Sequence, residues 1–520
     1  MLAGYLRGLT HPLKCRKVQN REAVQQRTDE PSRSEVPLAY RAVWGSAYTV
    51  GASLITLTLG FLRSVLLARL LLPEHFGLVT LALFYIGLAA QLRDLGLDMA
   101  LIHRQNPDEP FLRTYFSLRL GLDLLSSGLL LALVPLLQRA YPQMSELGKV
   151  LVVLIFVYSL SSLSYMQETL IRKNLAFSQL AATNVAASVT MTIVAPLLAW
   201  LGWGVWALVA EQLSGIGARF LLTWGPFRQW KPGLGWEKQT VRWFWEYGKP
   251  TWVASNLSYL LDRFDDFWIG TALGKVPLGL YSRAYEFAHY PRRVLANPLV
   301  TVFTPVFARL QNDRLGLSQA FFRAAYVILR SGFLVAGAFG LVMPEFIHHV
   351  IGDKWLPMLW TFRLMLVYTV LDPILLLVGG LLLAVGRPRE LRNATVVQTL
   401  FFIPAVILGA WLWGINGVAL AADGMLLIGA FRLYRPLRQV VDFSFHRLVT
   451  WPALALAVAW GGGFLAEVFA GGGPMQVVAL KLGIFGLLFG GFLLGVERAD
   501  LVAGIRELRR MIWESRTGRL

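Results

Sequence analysis

The chain has 520 residues, 56% hydrophobic and only 15% charged, with a mean hydropathy of +0.54 and a formal net charge of +18. Soluble domains carry about 25% charged residues, so this composition excludes a water-soluble fold. Apolar runs of about 20 residues recur along the chain and predict an all-α polytopic membrane protein. The excess positive charge is spread over short loops and does not cluster on one domain, which excludes a nucleic-acid partner.

Residues 1–40 are polar and basic and contain no apolar core of a signal peptide, so they read as a cytosolic N-terminal tail. About fourteen spans follow. Six fall in residues 41–230, six in 240–440 and two more in 446–497. Residues 498–520 form a basic tail, with Leu501, Ile505, Leu508 and Ile512 spaced for an amphipathic surface helix. The second span is expected over 75–101, the eighth over 277–308, and the eleventh and twelfth over 391–412 and 415–437.

Lys and Arg concentrate in alternate loops. The opposite set of loops holds only Arg139, Lys149, Lys275 and Lys354, a bias that places both termini in the cytoplasm. Trp200, Trp203 and Trp206 then mark the outer interface, and Trp224, Trp230 and Trp236 the inner one. Glu74-His75-Phe76-Gly77-Leu78 aligns with Val276-Pro277-Leu278-Gly279-Leu280 at an offset of 202. Six spans separate the copies, so the chain reads as two parallel six-helix lobes related by a pseudo-twofold axis, with two added C-terminal helices.

Charges inside such spans cost roughly 2.5–3.5 kcal/mol each at the bilayer centre and face a cavity or a partner helix. Arg63 and Arg69 lie in span 1, and Arg93 lies in span 2 beside Asp94 and Asp98. Arg119 and Asp123 are spaced to neutralise each other on one face. Span 7 holds Asp262, Arg263, Asp265 and Asp266, and span 8 holds Arg283, Glu286, His289, Arg292 and Arg293. Their placement in spans 1, 2, 7 and 8 points to one shared cavity. His348-His349 has no third ligand nearby, the single Cys15 forms no internal disulfide, and no phosphate-binding loop is present. No metal, ATP or other cofactor is expected. Movement draws on H+, Na+ or the membrane potential.

Four stretches carry a family resemblance: FLRSVLLARLL with FGLVTLAL, QLRDLGLDMALI, DDFWIGTALGKVPLGLYSRAYEF and AVGRPRELR. They resemble the polysaccharide-unit flippases of the MOP superfamily, related to the lipid II flippases. The resemblance implies a transporter of undecaprenyl-diphosphate-linked oligosaccharides across the bacterial inner membrane, with a cationic central cavity, alternating access and no catalytic residue. It implies substrate-binding roles for Arg63, Arg69, Arg93 and Arg283 and marks Asp265 as a family aspartate. The embedded charges of spans 7 and 8 add Arg292 to the expected substrate-binding set and make Asp262, Asp265, Asp266 and Glu286 the expected gating or ion-coupling set. Gly77 stands where the lipid II flippases have an acidic residue, so lipid II itself is not the implied substrate. A polysaccharide polymerase and glycosyltransferases are the expected partners of a monomer embedded in membrane lipid. The offset of 202 places Asp265 at the repeat position of Arg63, so the two either form a charge pair across an outer gate or Asp265 pairs locally with Arg263 or a neighbouring helix.

Two other functions fit less well. A polyprenyl-dependent glycosyltransferase or polymerase places its active site on sizeable outer loops, and these loops are short. An ion-coupled multidrug exporter of the same superfamily favours an acidic cavity, whereas spans 1, 2 and 8 carry a surplus of arginine.

Overall fold

The computed structural model describes residues 38–469 and 473–497. The basic tail 498–520 and nearly all of the N-terminal tail lie outside the described residues. The chain divides after Trp44, and the residues from Gly45 onward form one compact unit. Among the described residues the secondary structure is helical, without strands. The helices are α1 (Leu38–Leu70), α2 (Pro73–Asp94), α3 (Leu97–His103), α4 (Glu109–Ala140), α5 (Leu147–Lys173), α6 (Phe177–Trp200) and α7 (Val205–Trp224). There follow α8 (Lys238–Ala272), α9 (Lys275–Pro291), α10 (Asn297–Arg309), α11 (Arg314–Glu345), α12 (Leu359–Ala384), α13 (Pro388–Val440), α14 (Trp451–Phe469) and α15 (Pro474–Val496).

Eleven of the described helical segments are long and apolar enough to cross a membrane. Large apolar side chains point outward from them: Trp411 is 81% exposed, Leu487 77% and Leu125 69%. A surface of this kind needs hydrocarbon around it. The charges on α8 keep that helix from meeting the same hydropathy measure, although its 35 residues are long enough to span.

Two boundaries differ from the sequence reading, each for a local reason. The second span is not one helix: Leu95 and Gly96 take left-handed φ angles of 41° and 66°, which ends α2 and starts the short α3. The eighth span is interrupted after Pro291 by a π-turn at Arg292–Ala296 before α10, as expected where proline removes a main-chain donor. Helix α13 breaks at Trp413 and Gly414. The backbones of Gly409 and Gly417 touch each other across this break, so the chain doubles back there, and two separate spans are expected in the same place.

The turn between α1 and α2 is short because Pro73 occupies the first helical position, where its missing N–H is harmless. The Leu72 N–H donates to Nδ1 of His75 at 3.3 Å, which supplies the cap. Helix α2 then crosses α9 at very close range. A Cβ on Gly77 would collide with the Lys275 carbonyl, and one on Gly279 with the Pro73 carbonyl. Each residue of the first contact lies 202 positions from its counterpart in the second, which is the offset of the sequence repeat.

The same end is fastened by a Lys275–Glu74 ion pair at 2.8 Å. A hydroxyl chain adds to it, from Tyr85 to Tyr141 at 2.8 Å and on to Thr271 at 2.7 Å. Trp355 donates its indole N–H to the Ala68 carbonyl at 2.8 Å. Helix α8 runs down α2, with Trp252 donating to the Gln91 carbonyl and Tyr259 to the Phe84 carbonyl, both at 2.8 Å.

Helices α14 and α15 pack on each other and on α11. Trp460 donates to the Gly337 carbonyl at 2.9 Å, Lys481 pairs with Glu345 and Arg330 pairs with Glu497. They attach along α11 and stay clear of the α2–α9 crossing.

Candidate functional site

On α1, Thr49, Ser53, Thr56, Gly60 and Arg63 recur at helical spacing and define one face of small and polar residues. Arg63, at the end of this face, and Arg283, on α9, line a common cavity of about 110 Å³ with Glu211 of α7 and Glu286 of α9. Arg63 pairs through Nε with Glu211 at 2.8 Å and donates to Thr192 at 3.4 Å. Arg283 pairs with Glu286 at 2.5 Å, donates to Ser64 at 3.3 Å and lies over the Phe76 ring at 4.5 Å. Its buried Nε–H has no hydrogen-bond partner. Gln212 and Thr80 add polar edges to the wall.

The cavity is therefore not simply cationic in this state, because its two guanidiniums face two carboxylates. Such pairing is the expected solution for cations in a low-dielectric interior. A carboxylate is also the side chain most easily exchanged for a phosphate oxygen on a guanidinium.

The other expected site residues are distributed elsewhere. Arg69 lies in the last turn of α1 beside Gly352, and its carbonyl accepts from Lys354 at 2.8 Å. Arg93 is buried and pairs with Asp123 at 2.6 Å. This pairing replaces the expected Arg119–Asp123 pair: Arg119 binds Asp98 at 3.0 Å and lies over the Tyr165 ring at 4.7 Å. Arg292 pairs with Asp372 at 2.5 Å.

Of the acidic residues on α8, Asp262 is exposed. Asp266 pairs with Arg263 at 3.0 Å, and Asp265 accepts from the Tyr281 hydroxyl at 2.7 Å. The Arg63–Asp265 gate pair expected from the repeat is absent from the contacts described here, because Glu211 occupies the Arg63 guanidinium.

Glu211, Asp372 and Asp423 lie outside spans 1, 2, 7 and 8, to which the expected site is confined. All three are carboxylates within apolar runs, VWALVAEQLSG, VYTVLDPILLL and VALAADGMLL, and the cost of burying a charge marks them by the same rule that marks the arginines.

An apolar pocket of about 330 Å³ adjoins this region. Phe61 of α1, Phe287 of α9 and Leu482 of α15 line it together with Phe339, Met343 and Phe346.

Among solved structures, the chain is similar to the lipid II flippase MurJ in an inward closed conformation, with a TM-score of 0.71 and 16% identity over 88% of this chain and 100% of that one. It is also similar to a multidrug resistance MATE family transporter of the MOP superfamily in an inward-facing conformation, with a TM-score of 0.60 and 15% identity over 74% and 95%. The fold is thus that of the MOP-superfamily transporters.

The lipopolysaccharide biosynthesis protein WzxC of Escherichia coli (strain K12) is 28% identical over 403 residues, covering 75% of this chain and 79% of WzxC. The pattern of the Polysaccharide biosynthesis protein family matches residues 66–359, and the chain belongs to that family.

Proposed function

We propose that the protein flips undecaprenyl-diphosphate-linked oligosaccharides from the inner to the outer leaflet of the bacterial inner membrane. In this reading it is a fourteen-span transporter with two six-helix lobes and both termini in the cytoplasm. It works by alternating access and performs no covalent chemistry. The observation that carries the reading is the meeting of Arg63 and Arg283, from the first helix of one repeat and the second helix of the other, in one cavity.

A diphosphate carries about two negative charges, and taking it unaided through about 30 Å of hydrocarbon is prohibitive. Guanidiniums offer permanently charged, forked donors for phosphate oxygens. Glu211 and Glu286 hold the two forks. An incoming diphosphate displaces them, and the free Nε–H of Arg283 supplies an additional donor. The apolar pocket between α1, α9, α11 and α15 takes the start of the prenyl chain, whose remainder stays in lipid. The acidic groups of α8 and Glu286 are the proposed points at which a coupling ion or the membrane potential acts.

The test is complementation of polysaccharide export with Arg283→Ala and with Arg63→Ala/Glu211→Gln, the second chosen so that no carboxylate is left without a partner. Loss of charge-assisted bonds to phosphate lowers export at least about tenfold with unchanged protein in the membrane. Normal export by both variants rejects the reading.

A further inference from the structure

A second cavity, of about 440 Å³, opens between α1, α6 and α7 on the half of these helices that contains the first turns of α6. It shares Arg63 with the central cavity, so a single guanidinium separates the two. Its size lies within the roughly 300–1,000 Å³ of small-molecule sites. Thr49 to Arg63 spans fourteen residues of helix, roughly 20 Å at the usual rise, so the space is long and narrow.

The lining has a distinct chemistry. Thr49, Ser53 and Thr56 of α1 face Asn184 and Ser188 of α6, with Arg219 of α7 also on the wall. Neither a carboxylate nor an aromatic ring is among the described lining residues. Ser53 donates to the Thr49 carbonyl at 2.7 Å and Thr56 to the Ser53 carbonyl at 3.0 Å. Their protons are thus spent on their own helix, and the hydroxyl oxygens keep lone pairs for an outside donor. The Asn184 amide, with both a donor and an acceptor edge, makes no side-chain hydrogen bond among the described residues. Hydroxyl acceptors, one amide and two cations suit a ligand rich in hydroxyl donors and neutral or acidic in charge. The absence of rings and carboxylates suits an apolar cation poorly.

We infer that this cavity is a saccharide subsite, which holds the first sugars of the substrate while Arg63 and Arg283 hold its diphosphate. The inference rests on the flippase reading and adds to it where the sugars lie and how they are recognised. Contacts through hydroxyl acceptors, without a stacking platform, are weak individually and tolerant of epimers. A carrier that must release its cargo needs contacts of that kind.

The experiment measures binding to the full chain in nanodiscs of two probes, undecaprenyl diphosphate and undecaprenyl-diphosphoryl lactose. The lactosyl probe binds about tenfold more tightly, the gain from one or two net hydrogen bonds. Asn184→Leu and Ser188→Trp each remove that gain and leave the affinity for undecaprenyl diphosphate within about twofold, which also shows that the variants are folded. Equal affinity of the unsubstituted protein for the two probes overturns the subsite, as does a gain that survives in both variants. Failure of undecaprenyl diphosphate itself to bind, or its undiminished binding to Arg283→Ala, overturns the flippase reading instead.

Discussion

Arg93 and Asp123 bond at 2.6 Å with both side chains almost fully enclosed, so a carboxylate holds Arg93 inside the helix bundle. Breaking a buried pair strands the remaining charge and destabilises by roughly 3–5 kcal/mol, whereas replacing both partners with apolar residues is close to neutral. Arg93→Leu is expected to lower the thermal midpoint in detergent strongly, and Arg93→Leu/Asp123→Leu to recover most of the loss and retain export. A double variant that is well folded but inactive in export would restore Arg93 to the substrate path. Sequence alone marks Arg93 as costly to bury, and the same rule applies to Arg63 and Arg283. Which of these cations meets its carboxylate inside a helix bundle, and which meets it across a cavity, depends on distances between segments far apart in the chain.

At the scale of elements, α2 and α9 cross closely at the end where these helices begin. The crossing is a backbone contact, and each glycine sits where a side chain would strike a carbonyl of the other helix. The gate expected from the repeat was a charge pair between Arg63 and Asp265. The repeat is present in these contacts, but the close approach is made by Gly77 and Gly279 with the Lys275–Glu74 pair beside them.

Gly77→Leu is expected to hold the helices apart. In a Cys15→Ser/Thr80→Cys background, a membrane-impermeant thiol reagent added from outside should then label position 80, which lines the central cavity, and export should fall. Unchanged labelling together with normal export would mean that the crossing does not control access. The sequence aligns Gly77 with Gly279 as repeat positions, and the structure shows why both are glycine: only a small residue allows helices so close. The sequence alone could not say what each glycine touches.

For the whole molecule, the two C-terminal helices are fastened to α11 by Lys481–Glu345 and Arg330–Glu497 and bring Leu482 to the apolar pocket beside the central cavity. The pocket's Phe61 and Phe287 are next in the chain to Gly60 and Glu286, which line the cavity of Arg63 and Arg283. Leu482→Trp, which fills that pocket, is expected to weaken binding of undecaprenyl diphosphate and to leave binding of the much shorter geranyl diphosphate unchanged. Equal weakening of both would place the effect on the diphosphate site, and no weakening of either would remove the pocket from the lipid path.

Hydropathy and loop charge are sums over neighbouring residues, so the chain's sequence by itself determined the helical membrane class, the approximate span positions and the repeat offset of 202. Proline and glycine chemistry fixed the turn at Leu72-Pro73 and allowed the break at Trp413-Gly414, but not the kink at Leu95, where a non-glycine residue is held in a left-handed conformation. The partners were decided only by the tertiary structure. Glu211 lies 148 residues from Arg63 in the chain and 2.8 Å from it in space, and Asp372 lies 80 residues from Arg292 and 2.5 Å away. A buried charge announces its need for a partner through its own cost of desolvation, which is a property of one residue. The choice of partner is set by how the helices cross, which is a property of the packed bundle.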